Sequence, residues 1–207
     1  FEPIIATDFP EVDYHWNENK VDIILDNCEN DDEVKIRQIE SFVSKMGMEF
    51  FKIGTIRKMY AVGLTEIEQI ILMDNTLLLL KADGIKQKSA NKILQSIKTR
   101  LNTCKLSDFA GSLPCFKSLG RKRMQLITDV YPEFYNIPKK ELYSKIVNIK
   151  TFSDKTAVQV INGLDKFKEF LKIYNSKYTF NNSQEIVEQV SNIFQNKIYC
   201  FSGIRNK

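Results

Sequence analysis

A short basic segment follows a glycine at a predicted helix start, and its residue types suit the binding of an anion. Segment 116–123 contains apolar residues, Gly120 and then three consecutive cations. A helix N-terminus presents unpaired N–H groups and the positive end of the helix dipole, and a glycine lets an anion approach without meeting a Cβ. Three cations at that end are unfavourable for the helix itself. Their presence therefore predicts an anionic ligand such as a phosphate, with a solvated basic turn as the simpler alternative.

The same arrangement recurs along the chain. Alignment on Gly54, Lys86, Gly120 and Ser153 gives intervals of 32, 34 and 33 residues, and an apolar residue precedes each of these anchor positions. After the second and fourth anchors, apolar residues fall at the offsets of one stripe of an amphipathic helix. We interpret each repeat as a helix, a tight turn and a second helix whose N-terminus carries polar and basic residues.

Phosphate binding is predicted at the start of the second helix in the repeats. Lys86 and Ser153 stand where the other two repeats have glycine, and for the fourth repeat a purely structural role is an equal alternative. Contacts to phosphates carry no base information, so binding is expected to be sequence-independent and salt-dependent. The residues predicted to contact the phosphates of a nucleic-acid backbone are Gly54, Thr55, Arg57, Lys58, Lys86, Lys88, Ser89, Gly120, Arg121, Lys122, Arg123, Lys155 and Thr156.

A mainly α fold is predicted, built from four tandem helix-hairpin-helix units with short β remnants at both ends. Residues 1–33 contain strand candidates at 2–6 and 20–25. Residues 34–180 show helical periodicity and form the predicted binding domain. Residues 181–207 are expected to hold a linker followed by the beginning of another β segment.

The connection between the first two repeats is predicted to be helical. Thr65-Glu66-Ile67-Glu68 has the pattern of a capping box, which would open a helix with Ile67, Ile70 and Ile71 facing inward. The Leu-rich segment 77–80 then predicts a further helix before the second turn.

Charge is unevenly distributed along the 207 residues. Residues 1–33 hold eleven acids and one Lys, a net of −10, whereas residues 81–123 hold eleven basic residues and two acids, a net of +9. The basic segment is an electrostatic footprint for a polyanion, although such a segment is sometimes only a solvated face. No apolar run approaches the roughly 18 residues of a membrane span, and no secretory signal is recognised. We therefore expect an intracellular protein without a membrane partner, acting in the cytoplasm, the nucleus or a viral replication site.

Catalytic and metal-binding constellations are not expected. The four cysteines lie far apart and there is a single histidine, whereas a structural zinc site needs closely paired ligands. Reduced, buried thiols are the expected state of the cysteines. His15 has no Ser or Cys partner pattern, and no paired carboxylates recur. The sequence therefore predicts no catalytic residue and no metal in this chain.

Residues 41–171 resemble the helix-hairpin-helix domain of bacterial-type NAD-dependent DNA ligases. Segment 83–90, Asp-Gly-Ile-Lys-Gln-Lys-Ser-Ala, is similar to the Gly-Phe-Gly-Glu-Lys-Ser-Ala signature of that family. Segments 110–127 and 146–164 resemble its third and fourth hairpins. The likeness is fairly specific, because four units match in order.

Both ends of the chain extend this resemblance. Residues 196–205 resemble the first strand and turn of a BRCT domain, and residues 1–6 resemble the last strand of an OB-fold. The family places a four-cysteine zinc module between its OB-fold and its hairpins, but segment 8–40 contains only Cys28. This departure indicates a zinc-free replacement in a divergent lineage, for which a virus is a candidate source.

The resemblance implies a parent enzyme that seals nicked DNA with NAD and Mg through a lysine adenylate. This chain would clasp the double-stranded, nicked DNA as a monomer, and NAD itself is not expected to bind it. Lys81-Ala82-Asp83-Gly84 matches the Lys-x-Asp-Gly signature of the adenylated lysine, but it falls inside the second repeat, without the further strand motifs of a nucleotidyltransferase. We interpret Lys81 as a helix-end cation rather than a nucleophile.

Two alternatives remain open from the sequence. A stand-alone helix-hairpin-helix protein of DNA repair or recombination would share the binding mode but not the parent reaction. A helical repeat for protein interaction would need no phosphate contacts.

Overall fold

The computed structural model describes residues 14–17, 19–20, 23–25 and 31–181. The predicted strand at 2–6, the OB-fold-like segment and the BRCT-like segment 196–205 lie outside these residues. In the part of the chain that the structure describes, no helix combines the length and the apolar character needed to cross a membrane.

The predicted mainly α architecture is confirmed. Its α-helices are α1 (Asp32–Lys45), α2 (Ile53–Ala61), α3 (Ile67–Leu72), α4 (Gln87–Thr103), α5 (Leu106–Ser112), α6 (Arg121–Val130), α7 (Lys139–Val147) and α8 (Asp154–Asn175). Single 3₁₀ turns occur at Leu79–Lys81, Pro114–Phe116 and Phe134–Asn136. Each helix directs an apolar stripe into a shared core, as amphipathic helices of this length must.

A small β-hairpin precedes the helices. Strands β1 (Tyr14–Trp16) and β2 (Ile23–Leu25) pair in antiparallel register, with Tyr14 opposite Leu25. Of the strand expected at 20–25, Ile23–Leu25 forms β2, residues 21–22 lie outside the described residues, and Lys20 is excluded from a strand by its left-handed φ of 53°.

Aromatic side chains fill the core in two clusters. In the first, the ring of Tyr174 lies 4.6 Å from that of Phe109 and stacks at 4.2 Å on Phe180. In the second, Phe134 stacks on Phe167 at 5.4 Å, and Phe116 lies 5.2 Å from Phe167. Offset and tilted ring pairs of this kind add to the free energy gained by burial. The rings of α8 thereby join the last helix to α5 and to the 3₁₀ turns Pro114–Phe116 and Phe134–Asn136.

The spacing of the helix starts corrects the alignment of the first repeat. The N-cap residues of α2, α4, α6 and α8 are Lys52, Lys86, Gly120 and Ser153, so the intervals are 34, 34 and 33 residues. Gly54 was the wrong anchor, because it lies inside the first turn of α2 rather than at its extended N-cap.

The corrected register explains the burial pattern better. Seven residues after each N-cap stand four buried apolar side chains, those of Met59, Ile93, Ile127 and Val160. Ala61, which the Gly54 alignment placed at this position, is exposed. Each helix therefore turns the same face inward, as a repeated packing unit requires.

The connection between the first two repeats is partly as predicted. Ile67, Ile70 and Ile71 of α3 are buried, as expected. The N-terminal cap of α3 differs from the predicted one, since the N-cap residue is Glu66 rather than Thr65. The side-chain oxygen of Gln69 accepts hydrogen bonds from the backbone amides of Thr65 at 2.8 Å and Glu66 at 3.0 Å. The prediction of a helix in the Leu-rich segment 77–80 is wrong, because only a 3₁₀ turn forms there, at Leu79–Lys81.

Candidate nucleic-acid interface

The turn before three of the four repeated helices contains a residue in the left-handed region. These residues stand two positions before the N-cap: Phe50 at φ 70°, Gly84 at 72° and Thr151 at 79°. In the second and fourth turns, the residue after the left-handed one donates a backbone hydrogen bond that closes the turn. The amide of Ile85 donates to the carbonyl of Ala82 at 3.1 Å, and the amide of Phe152 donates to the carbonyl of Ile149 at 3.0 Å. A left-handed third residue is typical of a tight type II turn.

The third turn also has a closing hydrogen bond, but its backbone conformation is different. Lys117 adopts a right-handed helical conformation at φ −45° and ψ −41°, and the amide of Leu119 donates to the carbonyl of Phe116 at 2.9 Å. No left-handed residue is needed in such a type I turn. Helices α4, α6 and α8 therefore begin directly after a hydrogen-bonded turn, and α2 follows a left-handed residue at the matching position.

The starts of the four repeated helices have no side-chain cap. None of α2, α4, α6 and α8 has a side-chain hydrogen bond at its N-cap, and this is also true of α7 after Pro138. By contrast, Asp31 accepts from the amide of Val34 at 2.9 Å to cap α1, and Gln69 caps the start of α3. The first amides of the repeated helices are thus left for another acceptor.

Charge at these starts opposes the usual preference of the helix dipole. The first turns of α2, α4 and α6 contain no acidic residue, and only α8 has one, Asp154. Instead, Lys88, Lys122 and Lys155 occupy the second helical position of α4, α6 and α8. A bound anion would relieve the resulting excess of positive charge.

The first two repeats pack against each other reciprocally. Lys92, six residues after the N-cap of α4, lies over the ring of Phe50 with 5.4 Å between its Nζ and the ring centre. Lys58, six residues after the N-cap of α2, places its Nζ 3.0 Å from the position that a Cβ on Gly84 would take. Each turn therefore contacts the lysine that stands six residues after the N-cap of the other repeat's helix. As a result, Lys92 lies at the first turn and Lys58 lies at the second.

Two glycines allow close approaches around the third repeat, one between its own helices α5 and α6 and one between α8 and the 3₁₀ turn Pro114–Phe116. A Cβ on Gly111 of α5 would lie 2.7 Å from the backbone nitrogen of Arg121, and one on Gly163 of α8 would lie 2.4 Å from the carbonyl oxygen of Cys115. Sequence analysis missed both positions. Their only signal was a glycine within an apolar helical stripe, where alanine would otherwise be favoured.

Most predicted DNA-binding residues lie on the surface, and one does not. Thr55 is half-buried and Thr156 is only 5% exposed. Thr156 is a correction, because its side chain points into the core beside the apolar stripe of α8. The exposed members are Gly54, Arg57, Lys58, Lys86, Lys88, Ser89, Gly120, Arg121, Lys122, Arg123 and Lys155.

Two of the predicted cations already have acidic partners. Arg57 of α2 pairs with Glu33 of α1 at 2.9 Å, and Arg121 of α6 pairs with Asp108 of α5. Lys86, Lys88, Lys122, Arg123 and Lys155 form no ion pair with the other described residues, and neither does Lys52, the N-cap that sequence analysis overlooked. The structure thus divides the cations into a paired set and an unpaired set.

Acidic residues of α1 lie against α2. The Tyr60 hydroxyl donates to Asp32 at 2.6 Å, and this hydrogen bond raises the pKa of Tyr60 to about 12. Together with the Glu33–Arg57 pair, it shows that acidic side chains of α1 lie beside the first repeat. The fourth repeat has its own acid, Asp154, in the first turn of α8, whereas the first turns of α4 and α6 contain none. Phosphate affinity is therefore expected to be greatest at the second and third repeats.

Thiol and metal chemistry find little support among the described residues. Burial raises the pKa of Cys104 to about 11 and that of Cys115 to about 12, so both remain thiols. No group of three or more His, Cys, Asp or Glu side chains within residues 31–181 or the β-hairpin is arranged to hold a metal. Lys81 ends a 3₁₀ turn with its side chain exposed, as expected for a helix-end cation.

Comparison with known proteins gives a consistent relationship. No protein-family model matches the chain. It is 27% identical over 212 residues to the DNA ligase of Acanthamoeba polyphaga mimivirus, an alignment that covers 99% of this chain and 33% of that protein. It is 26% identical over 193 residues to the candidate DNA ligase 205R of Invertebrate iridescent virus 6, covering 92% of this chain and 26% of that protein. The chain is therefore related to viral DNA ligases and spans about a third and a quarter of these two relatives.

Proposed function

We propose that this chain is the duplex-DNA-binding portion of a DNA ligase and holds the sugar-phosphate backbone at repeated helix starts. One observation carries the proposal: the helices that follow the four turns all begin without a side-chain cap. Cations that have no acidic partner among the described residues stand at or next to these starts. The relationship to viral DNA ligases makes DNA the expected polyanion.

The proposed contact is made by backbone amides and cations together. At α6, the amides of Arg121 and Lys122 would donate to phosphate oxygens, and the Lys122 and Arg123 side chains would neutralise the phosphate charge. At α4, Lys86 and Lys88 would act in the same way. Such contacts fix the position of the protein on a duplex and select no base sequence.

The chemistry of nick sealing is assigned to another part of the ligase. In the proposed parent enzyme, NAD supplies the adenylate and Mg assists phosphoryl transfer, as in the ligases that the sequence resembles. The described residues fit neither group, since they contain no metal-binding cluster and Lys81 stands at the end of a 3₁₀ turn. We propose that this chain holds nicked, double-stranded DNA in place as a monomer, and we assign the catalytic steps to other parts of the ligase.

The test is the salt dependence of binding to a fluorescently labelled nicked duplex, followed by fluorescence anisotropy. Neutralisation of about five phosphates predicts a slope of about −4.5 for log K against log salt concentration. Duplexes of unrelated sequence should bind with equal affinity. A protein-interaction repeat would instead show weak binding and a flat salt dependence, which would overturn the proposal.

A further inference from the structure

The turn of the first repeat carries a side chain that its position disfavours. Phe50 adopts a left-handed φ of 70°, and the residue is 48% exposed. The equivalent residues of the other three turns are small: Gly84, Ser118 and Thr151. A bulky side chain in this conformation strains the backbone, and an exposed ring gains little from burial. Within the fold, the one ring contact of this phenylalanine among the described residues is the ammonium of Lys92, itself on the surface.

The reciprocal packing of the first two repeats sharpens this contrast. At matching positions, Lys92 meets a phenyl ring in one turn, whereas Lys58 meets only Gly84 in the other. A Cβ at residue 84 would already lie 3.0 Å from the Lys58 ammonium. The two turns therefore differ at one side chain, that of Phe50. It lies beside Lys92 in space and two residues before the exposed N-cap Lys52 in the sequence.

We infer that Phe50 is an apolar wedge that enters the minor groove of the bound duplex. This inference rests on the proposed DNA binding and specifies how the first repeat contributes to it. Arg57 of the first repeat is already paired with Glu33, so its guanidinium has less charge to offer to a phosphate. The minor groove of B-DNA is about 6 Å wide, too narrow for a helix but wide enough for one ring, and phenylalanine wedges between base steps are a known mode of minor-groove binding. Lys92 and Lys52 would then lie near the phosphates that border the groove.

The experiment compares Phe50→Gly with Thr151→Gly in the full chain. Both variants place glycine at a left-handed position, so both should retain or raise the midpoint of thermal unfolding. Phe50→Gly should lower the affinity for a nicked duplex about tenfold, the equivalent of about 1.4 kcal/mol, while leaving the salt slope unchanged because no charge is lost. Thr151→Gly should bind like the wild type.

Insertion is measured directly with 2-aminopurine placed in the bound duplex. The wild-type chain should increase the fluorescence of this base analogue by unstacking it, Phe50→Leu should do so partly, and Phe50→Gly should not. Equal affinity and equal fluorescence for the wild type and Phe50→Gly would overturn the wedge while leaving DNA binding intact. A lower unfolding midpoint for Phe50→Gly would show that the ring serves the fold, which also overturns the inference. Absence of wild-type binding would instead refute the proposed function itself.

Discussion

The guanidinium of Arg121 pairs with the carboxylate of Asp108, so the first of three consecutive cations at the start of α6 is held against α5. Asp108 itself is largely buried, with 17% of its side chain exposed, whereas 65% of the Arg121 side chain is exposed. Lys122 and Arg123 have no such partner among the described residues. Three adjacent basic residues that look equivalent in the sequence are thus predicted to differ in their contribution to DNA binding.

Replacing these cations one at a time should reveal that difference. Lys122→Ala and Arg123→Ala should each weaken binding to a nicked duplex about fivefold and reduce the salt slope by about 1, because each removes one charged phosphate contact. Arg121→Ala should weaken binding less, since its charge is already partly neutralised by Asp108. Fluorescence anisotropy over a range of salt concentrations measures both quantities. If Arg121→Ala had the largest effect of the three, the assignment of paired and unpaired cations would be wrong.

Alanine at two glycines should separate binding from folding. Gly120 has φ −68° and nothing within 4 Å of a Cβ at this position, so Gly120→Ala should leave the unfolding midpoint nearly unchanged. Its methyl group would nevertheless stand between the first amides of α6 and a phosphate, and the affinity for DNA should fall about fivefold or more.

The matched substitution is Gly163→Ala. Its Cβ would lie 2.4 Å from the Cys115 carbonyl oxygen and 2.7 Å from the Phe116 ring, so α8 must move away from the third repeat. Overpacking of this kind costs about 1–3 kcal/mol or more. The unfolding midpoint should therefore drop by several degrees in a thermal melt. A stable Gly163→Ala variant would contradict the close approach of α8, and unchanged DNA binding by Gly120→Ala would contradict the amide contact.

Removal of the Tyr174 hydroxyl should destabilise the fold. The hydroxyl donates to the carbonyl of Leu101 at 2.7 Å in the core, where the side chain is fully buried. Tyr174→Phe removes this donor and leaves that carbonyl only the weak Cys104 thiol donor at 3.5 Å, at a cost of about 1–3 kcal/mol in the free energy of unfolding. Urea titration measures the loss. The control is Tyr143→Phe, whose hydrogen bond to Asp154 at 2.8 Å is on the surface and should matter little. Equal losses in the two variants would argue against the buried position of Tyr174.

The buried thiols should make stability depend on pH in the alkaline range. Burial raises the pKa of Cys104 from 9.0 to about 11, which means that folding favours the neutral thiol. Its contribution to stability is fully present below pH 9 and is lost as pH rises towards 11. Alkylation by iodoacetamide at pH 8.5, mapped by mass spectrometry, should be much slower at Cys104 in the folded protein than in urea. Cys115 is only partly buried and should be protected less. Fast labelling of Cys104 in the folded chain would contradict its burial.

Much of the fold could be predicted from the sequence, because amphipathic helices are marked by the spacing of apolar residues that are close along the chain. Apolar residues at helical intervals marked the inward faces of α4 and α8, and Ile67, Ile70 and Ile71 were correctly placed inside α3. Two local features were harder to locate. The repeat was aligned on Gly54, but a glycine can also stand inside the first turn of a helix, as this one does. The Leu-rich segment before residue 81 is too short to sustain an α-helix.

The sequence by itself determined a mainly α repeat with a basic central segment, since periodicity and net charge are properties of neighbouring residues. Only the tertiary structure decided which cations have partners, because Asp108 and Arg121, or Glu33 and Arg57, meet through the packing of different helices. It also decided which glycines are indispensable: Gly111 and Gly163 matter because another segment's backbone comes within contact distance of them. Contacts between residues distant along the chain leave no periodic signal, so a single sequence cannot reveal them.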